Sequence, residues 1–277
     1  MDDPSDAARD MADGAAGEQA VRLERRDGVA TIVLNRPDRH NALSIATWKG
    51  IIAAARETDA DPDTGVVVIR GAGRRAFSAG ADLGEFEATR VTSAGARTYS
   101  DLVHETMEAL LAIRKPLIAM IHGYCIGGGC EVAICADICI ADDAAQFGIP
   151  AARVGLAIAM EDIQRLVNLV GPSNAKLILF GGQRFSAARA LQMGLVNEVV
   201  PADELEASTY ALADTIRRAA PTSVRWAKES VEAVLRDPSL AAYPDRSERA
   251  AALSATEDFL EGVRAFLEKR EPRFTGR

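Results

Sequence analysis

The segment from Ile121 to Ala141 reads IHGYCIGGGCEVAICADICIA, and at its centre are three consecutive glycines, Gly127 to Gly129. A strand-like apolar run precedes the glycines, and a helical pattern that includes one acid, Glu131, follows them. Glycine lets a ligand approach the backbone closely, and the first turn of a helix offers N–H groups and positive potential. The segment therefore predicts a strand, a loop shaped around a ligand and a helix, with Glu131 beside the loop.

The chain of 277 residues has the composition of a globular protein, with 48% hydrophobic residues and a mean hydropathy of -0.01. None of its apolar runs reaches the roughly 18 residues that a membrane span needs. The net charge of -8 argues against a basic binding surface, so neither nucleic acid nor a membrane is an expected partner. Residues 1–19 are acidic and rich in small residues and lack signal-peptide features, which predicts a disordered tail.

All four cysteines lie within the opening segment; they are Cys125, Cys130, Cys135 and Cys139. Their spacing does not match a zinc site, and no histidine stands where it would complete one, so no metal is expected. Without a secretory signal, the favoured interpretation is reduced thiols that pack as small apolar residues. The expected compartment is the cytoplasm.

The rest of the chain alternates strand and helix patterns. A β-hairpin is predicted around Asp27-Gly28, and TGVVVIRG and PLIAMIHG have the continuous apolar character of buried strands. Helical patterns lie between the strands, which indicates an α/β core over residues 20–200. Residues 201–277 are almost entirely helical in pattern, and they could form a core of their own or pack against a neighbouring subunit.

One loop, from Gly71 to Ala76, matches the dinucleotide-binding fingerprint G-x-G-x-x-A. That fingerprint requires a crossover helix at its last position and an acid about 20 residues later. Here the sequence continues as loop as far as Asp82, so a nucleotide site of this type is not expected.

A second Gly/Ala-rich loop, AFSAGAD from Ala76 to Asp82, also follows a buried strand. Two backbone N–H groups that converge from such loops form an oxyanion hole, which stabilises charge on a carbonyl oxygen. A carboxylate beside the hole, here Glu131, could move a proton at a carbon near that carbonyl. The alternative is that Glu131 is only an acid that the helix dipole favours. The pair of loops favours the catalytic interpretation.

Five stretches, in this order and at this spacing, resemble the crotonase superfamily, also called the enoyl-CoA hydratase/isomerase family. They are LNRPDRHNALS, AFSAGADLGEF, HGYCIGGGCEVAICADICIA, AQFGIPAARVGL and EGVRAFLEKREPRF. The resemblance implies a crotonase-like spiral of repeated β-β-α units with a helical C-terminal trimerisation region. It also implies an acyl-CoA thioester substrate and assembly as a homotrimer or a dimer of trimers. No metal or redox cofactor is implied, and coenzyme A enters only as part of the substrate.

The resemblance assigns roles in the reaction to particular residues. The N–H groups of Ala81 and Gly128 match the family's oxyanion hole, and Glu131 matches the first catalytic glutamate of the hydratases. The second glutamate of the hydratases has no counterpart, because Ala151 occupies its position in FGIPAARVGL. Asp162 could replace the lost carboxylate from a new direction. The alternative is that Asp162 caps a helix or complements its dipole.

For coenzyme A, the resemblance points to Arg39 as a basic residue near the phosphates and to Ala79 as a backbone contact. Phe274 resembles a tail aromatic that packs near the nucleotide. Arg39 could equally be an ordinary solvated cation, and Phe274 could be simple tail packing. Gly84 stands where the family often has a basic residue, which weakens the expected phosphate contacts.

The function expected from these residues is hydration of a 2-enoyl-CoA to a 3-hydroxyacyl-CoA. An enoyl-CoA isomerase that uses Glu131 as its single base is the nearest alternative, and a CoA-thioester decarboxylase or hydrolase is a further one. The non-enzymatic alternative is an inactive CoA-binding subunit. Glu105 and Glu108 are lesser candidates for the second acid, and His122 is expected to be a core residue.

Overall fold

The computed structural model describes residues 19–85 and 92–277 of the chain. The predicted acidic tail therefore lies, apart from its last residue, outside the described residues. The strands are β1 (Val21–Arg26), β2 (Val29–Leu34), β3 (Val66–Gly71), β4 (Ala76–Ser78), β5 (Leu117–Ile121), β6 (Tyr124–Ile126), β7 (Ile138–Asp142), β8 (Gln146–Gly148), β9 (Phe185–Ser186) and β10 (Glu198–Val200). The α-helices are α1 (Ile45–Ala60), α2 (Ser93–Leu111), α3 (Gly128–Ala133), α4 (Met160–Gly181), α5 (Ala187–Met193), α6 (Leu205–Arg217), α7 (Pro221–Arg236), α8 (Arg246–Leu253) and α9 (Glu257–Glu268).

The strands form two sheets. The larger sheet has six strands in the order β1-β2-β3-β5-β7-β10, and the smaller has four in the order β4-β6-β8-β9. Each turn of the chain adds one strand to each sheet and then a helix, as in β3-β4-α2, β5-β6-α3 and β7-β8-α4. The predicted α/β spiral of β-β-α units is therefore confirmed.

The predicted hairpin joins β1 to β2. Asp27 and Gly28 both have positive φ, 50° and 74°, as a two-residue type I′ turn requires, and the two strands pair antiparallel. From β2 onward the pairs β2-β3, β3-β5, β5-β7 and β7-β10 are parallel, and β2 is buried along its whole length. A continuous apolar run is typical of such a strand, which is covered on both faces.

The core has two parts, one on each face of the larger sheet. The larger part includes Trp48 and Phe77 and lies between this sheet, α1, α2 and the smaller sheet. The smaller part lies under α6, whose Leu205 and Ala213 are fully buried. Helices α7 and α9, by contrast, carry apolar side chains that are exposed.

The four cysteines are buried and free, which confirms their predicted role as packing residues. Burial raises the pKa of Cys139 to about 12, so this thiol stays protonated at neutral pH. The Cys130 thiol donates a hydrogen bond to the Cys125 carbonyl at 2.7 Å.

The two helices predicted on either side of Gly171 form α4, which is interrupted at that residue. Gly171 has φ 73° and ψ 163°, outside the helical range, and Pro172 follows it. Among residues 19–85 and 92–277, no helix combines the length and the apolar character needed to cross a bilayer.

Candidate active site

The three glycines of the opening segment each meet a different constraint. Gly127 has φ 55° and ψ -121°, a backbone conformation that side chains other than hydrogen disfavour. A Cβ on Gly128 would lie 3.2 Å from the Trp48 ring, and a Cβ on Gly129 would lie 2.7 Å from the Ser78 carbonyl oxygen. The loop therefore needs glycine at all three positions.

The two Gly-rich loops meet directly. Gly80 has φ +91°, and a Cβ on it would lie 2.6 Å from the Ile126 carbonyl oxygen and 3.3 Å from the Gly128 nitrogen. Ala81, the next residue, is therefore beside Gly128. The structure brings together the two residues from which the sequence predicted an oxyanion hole.

The N–H groups of Ala81 and Gly128 are available to a ligand. Leu43 N–H donates to the Gly80 carbonyl at 2.8 Å, and Asp82 N–H donates to the Leu43 carbonyl at 3.0 Å. Because successive N–H groups of an extended segment point to opposite sides, the Ala81 N–H points away from Leu43. Within the described part of the chain, neither the Ala81 nor the Gly128 N–H donates a hydrogen bond. Two adjacent donors of this kind can bind a carbonyl oxygen.

An ion pair braces the loop that carries Ala81. The Arg36 guanidinium lies 2.8 Å from an Asp82 carboxylate oxygen and also donates to the Ala42 carbonyl at 2.8 Å. The hydrogen bond from Arg36 lowers the pKa of Asp82, so this carboxylate is a permanent anion tied to the loop and does not carry protons. Arg36 stands in the NRP stretch, but no local pattern points to Asp82, 46 residues away, as its partner.

Asn41 forms a second brace, which sequence reasoning also missed. Its side-chain amide donates to the Ala72 and Ala76 carbonyls at 3.0 Å and 2.7 Å and accepts from the Arg36 N–H at 3.0 Å. Asn41 is buried and has φ 54°, a left-handed conformation that asparagine tolerates better than most residues. The one local signal of this brace in RPDRHNAL is the asparagine itself, a residue type that tolerates positive φ.

Glu131 lies in the first turn of α3, and only 9% of its surface is exposed. Its N–H donates to the Gly127 carbonyl at 3.1 Å, which closes the first turn directly after the glycines. Helix α3 has six residues and ends at Ala133, and the chain turns from Ile134 to Asp137 before β7 begins. The Asp137 carboxylate accepts from Leu117 N–H at 2.7 Å and from the Lys228 ammonium at 2.8 Å.

Ala151 follows Pro150, and its methyl group is partly buried against the core. Asp162 is in the first turn of α4 and is 5% exposed. The N-cap of α4 is Ala159, and no side chain caps the helix, so Asp162 does not serve as a cap. Burial raises the pKa of Asp162, while Arg165 acts in the opposite direction.

The charges of Asp162 and Glu131 both act on the buried thiol of Cys135, two residues after the end of α3. Burial holds the pKa of this thiol well above its usual value, and the charges of Arg165, Asp162, Glu131 and Glu108 all act on it. The two acids come from different helices, α3 and α4. Both charges therefore act on the same buried group, and the role of Asp162 as a second acid stays a prediction.

Arg39 and Ala79 also lie together. The Ala79 N–H donates to the carbonyl of His40, the residue after Arg39, at 2.9 Å, and the Arg39 charge helps to lower the pKa of Asp82. Both Arg39 and Ala79 are exposed. Arg39 is therefore a solvated cation at the rim of the Ala81 loop.

Phe274 lies on a different element. Its ring packs against α9, 3.5 Å from where a Cβ on Gly262 would lie. The tail that carries Phe274 is held by Asp258, a buried acid that accepts from Thr275 and Gly276 N–H at 2.7 Å and 2.9 Å. Sequence reasoning did not single out this acid.

The remaining candidates have structural partners. His122 is buried and lies 3.2 Å from Asp142, as expected for a core residue. Glu105 forms an exposed ion pair with Arg56 at 2.8 Å. Across residues 19–85 and 92–277, no cluster of three or more His, Cys, Asp or Glu side chains is placed to hold a metal ion.

Comparison with known proteins gives consistent matches along almost the whole chain. The family model described as enoyl-CoA hydratase/isomerase matches residues 24–277. A protein named probable enoyl-CoA hydratase echA8 from Mycobacterium bovis is 40% identical over 263 residues, which cover 94% of this chain and 99% of that protein. The short-chain-enoyl-CoA hydratase of Clostridium acetobutylicum is 34% identical over 91% of this chain and 95% of its own length. A solved structure from Magnetospirillum magneticum, described as an enoyl-CoA hydratase/carnithine racemase, has a TM-score of 0.90 and 35% identity, with 94% and 97% of the two chains covered.

Proposed function

We propose that this chain, which belongs to the enoyl-CoA hydratase/isomerase family, adds water to a 2-enoyl-CoA and forms a 3-hydroxyacyl-CoA. The names of the similar hydratases support hydration as the reaction. The observation that carries the proposal is the junction of the two Gly-rich loops, where Gly80, the residue before Ala81, lies against the Gly128 nitrogen at the start of the helix that contains the buried Glu131.

The oxyanion hole acts on the thioester. Its carbonyl oxygen accepts hydrogen bonds from the Ala81 and Gly128 N–H groups. When water attacks C3, negative charge moves through C2 to this oxygen, and the two donors stabilise the resulting enolate. Fixed backbone donors suit this task because they need no reorganisation as the charge develops.

The two acids divide the proton transfers. Glu131 takes a proton from the attacking water, whose oxygen bonds to C3, and Asp162 gives a proton to C2 as the enolate collapses. A carboxyl group whose pKa is raised by burial, as at Asp162, holds a proton more readily than an exposed one. Exchange with solvent then returns both groups to their starting states, so one water is consumed and no other reactant is needed.

Coenzyme A is bound as part of the substrate. Arg39 and Ala79 form its contacts on the rim of the Ala81 loop, where Arg39 faces the phosphates and the Ala79 backbone faces the adenine and pantetheine. Phe274 packs near the nucleotide, from a neighbouring subunit. The exposure of Arg39 and Ala79 and their hydrogen-bonded segments support this assignment.

The proposed assembly is a homotrimer or a dimer of trimers formed through the helical C-terminal region. Exposed apolar residues on two of its helices support it: Val231, Val234 and Leu235 on α7, and Phe259, Leu260, Val263, Phe266 and Leu267 on α9. Isolated monomers rarely expose so large an apolar set. The proposed compartment is the cytoplasm, which suits the four free thiols.

A second candidate reaction is isomerisation of an enoyl-CoA. Ala151 favours it, because Glu131 acting twice as a single base can shift a double bond without a second carboxylate. Hydration and isomerisation are separated by mass, since only hydration adds one water to the substrate.

The test compares wild type with Glu131→Gln on a panel of 2-enoyl- and 3-enoyl-CoAs, with products read by mass and by loss of the conjugated absorbance. We expect kcat to fall by about 10²- to 10⁴-fold while CoA affinity is kept. Glu105→Gln is the matched control, because Glu105 forms only an exposed ion pair. If Glu131→Gln turned over crotonyl-CoA at the wild-type rate, Glu131 would not be the base. If neither wild type nor Glu131→Gln turned over any substrate, the chain would be an inactive CoA-binding subunit.

A further inference from the structure

Arg165 joins two acids on different helices. One of its N–H groups donates to Asp162 at 2.8 Å within α4, and another donates to Glu108 of α2 at 3.1 Å. The side chains of Arg165 and Asp162 are 20% and 7% exposed, whereas Glu108 is 55% exposed. The guanidinium therefore extends from a buried carboxylate to the protein surface.

The surroundings of Asp162 are dominated by negative charge. Glu161 of the same helix and His104 of α2 act on Asp162, and Glu108 of α2 pairs with Arg165. Glu131 acts from α3 on the Cys135 thiol, which the charge of Asp162 also influences. Arg165 is the permanent cation that these groups share among the described residues. Its loss would leave the buried Asp162 without this cation and with the charge of Glu161 still acting on it.

We propose that Arg165 is a positioning residue for the second acid: by bridging to Glu108 of α2, it holds Asp162 oriented within the site that contains Glu131. This inference rests on the proposed hydration. A planar guanidinium with two occupied N–H groups fixes the direction of both bonds, which a flexible ammonium would not. The bond uses Asp162 Oδ1, and Oδ2 makes no hydrogen bond that involves another residue in the described ranges. This arrangement leaves one oxygen for the reaction.

The bridge also sets how tightly Asp162 holds its proton. Burial raises the pKa of Asp162, and the charge and hydrogen bond of Arg165 oppose that rise. Without Arg165, its lowering effect on the pKa of Asp162 is lost, while the negative charges of Glu161 and Glu108 remain. Asp162 would then keep its proton to higher pH and would also lose its fixed direction.

The experiment measures kcat/KM against pH for four variants, Arg165→Met, Arg165→Lys, Glu108→Gln and Asp162→Asn, with crotonyl-CoA as the substrate. The limb of the profile that disappears in Asp162→Asn is the one that Asp162 controls. In Arg165→Met we expect this limb to move to higher pH by about one unit or more, with a fall in kcat. Arg165→Lys should restore most of the limb position, and Glu108→Gln should move it slightly to lower pH, because one repelling charge is gone.

Arg56→Met is the matched control. It breaks a 2.8 Å ion pair with Glu105, which lies on α2, the helix that also carries Glu108. Every limb of the pH profile should stay in place. If Arg165→Met is folded and its limb stays at the wild-type position, the Arg165 proposal is wrong. Should Arg165→Met fail to fold, a wild-type kcat in Arg165→Lys together with an unshifted limb in Glu108→Gln would overturn it, because a flexible ammonium does not fix the direction of Asp162.

The design separates this proposal from the proposed function. If Asp162→Asn keeps wild-type kcat and both limbs, Asp162 is not the second acid, and the Arg165 proposal falls with it. If Asp162→Asn loses turnover while the Arg165 variants leave the limb unmoved, only the Arg165 proposal fails. If no variant and no wild-type protein hydrates an enoyl-CoA, the proposed reaction is wrong and the fault does not lie with either residue.

Discussion

The two halves of the candidate site are built from different parts of the chain. The half around Ala81 and Gly128 consists of backbone, and its geometry depends on glycines that leave no space for a side chain. The half around Asp162 consists of side chains, and Arg165 holds two of them, Asp162 of α4 and Glu108 of α2. Binding a carbonyl oxygen therefore depends on close backbone contacts, whereas the supply of protons depends on a few exchangeable side chains.

This difference explains why the sequence resembles the family strongly, although that resemblance alone does not identify the reaction. A substitution at Gly80 or Gly129 would bring a Cβ within 2.7 Å of a carbonyl oxygen, so these positions cannot vary without moving the loops. At Ala151, by contrast, where the family resemblance implies a carboxylate, the side chain is a methyl group packed against the core. The chain can keep one half of the site and rebuild the other.

The largest effect should come from crowding the backbone half. In Gly129→Ala, the new Cβ would lie 2.7 Å from the Ser78 carbonyl oxygen, so the two loops must separate. We expect kcat to fall by about 10²- to 10³-fold, as when an oxyanion-hole donor is lost, with a loss of stability of about 1–3 kcal/mol. Steady-state kinetics and thermal unfolding measure the two effects.

Gly181→Ala is the control for that variant, because a Cβ on Gly181 meets nothing within 4 Å. It should leave kcat and stability nearly unchanged. A Gly129→Ala enzyme with wild-type kcat would mean that the separation of the loops does not matter, and the contrast between the halves would be lost.

Most of the backbone half can be predicted from the sequence. Runs such as TGVVVIRG and PLIAMIHG indicate buried strands, and the glycines after them indicate loops, because both signals are local. The braces cannot be predicted in this way. Arg36 and Asp82 are 46 residues apart, and Asn41 reaches Ala76 across 35 residues, so no local pattern joins them.

A smaller effect should follow from loosening a brace of the backbone half. Arg36→Met removes the ion pair to Asp82 and the bond to the Ala42 carbonyl but leaves every glycine in place. We expect a stability loss of about 1 kcal/mol, as for a partly exposed ion pair, and a fall in kcat of about tenfold because Ala81 adjoins Asp82.

The comparison variant is Arg26→Met, which breaks an ion pair between two side chains that are 92% and 83% exposed. It should change neither stability nor kcat. Equal effects of the two variants would show that Arg36 does not hold the Ala81 loop.

Removing the acid of the other half should raise stability, whereas the Gly129 and Arg36 substitutions should lower it. The pKa of Asp162 is raised on folding, so the folded protein holds this proton more tightly than the unfolded chain. The stability contribution is therefore greatest below about pH 4 and declines as pH rises through the folded pKa. At neutral pH the buried anion is a net cost, so Asp162→Asn should raise the Tm while it lowers kcat, and the gain should shrink toward pH 4.

Asp258→Asn is the matched contrast, since Asp258 is also buried but accepts two backbone N–H groups from the tail. It should lower the Tm at neutral pH, because the two N–H groups bond to different carboxylate oxygens and one of these becomes an NH2 donor in asparagine. A lower Tm in Asp162→Asn as well would mean that the ion pair with Arg165 outweighs burial, and the two acids would then be alike.

Asp162 was recognised as a candidate from its position, but its environment could not be read from the sequence. The i,i+3 spacing of Asp162 and Arg165 is a local signal for an ion pair. The partner Glu108 comes from another helix, 57 residues away, and burial depends on how α2, α3 and α4 pack. The sequence thus proposes the residue, and only the packing decides whether it can hold a proton.

The smallest effect is expected at Glu261, an acid near the surface that accepts a hydrogen bond from the backbone N–H of Arg273 in the tail. Hydrogen bonds from Arg270 and the Arg273 N–H lower its pKa from 4.5 to about 2. Its contribution to holding the tail is therefore complete above about pH 4.5 and is lost as pH falls toward 2. Solvent and salt screen this exposed pair, so the effect on global stability is small.

Glu261→Gln should make the amide hydrogens of residues 270–277 exchange faster at pH 6 and remove the pH dependence of their protection. Glu268→Gln is the control, because Glu268 also pairs with Arg270, at 2.6 Å, but accepts no tail N–H among the described residues. If both variants released the tail equally, Arg270 alone would hold it. If Glu261→Gln alone released it, the tail that carries Phe274 would be fixed through its backbone, in the same way as the loops of Ala81 and Gly128.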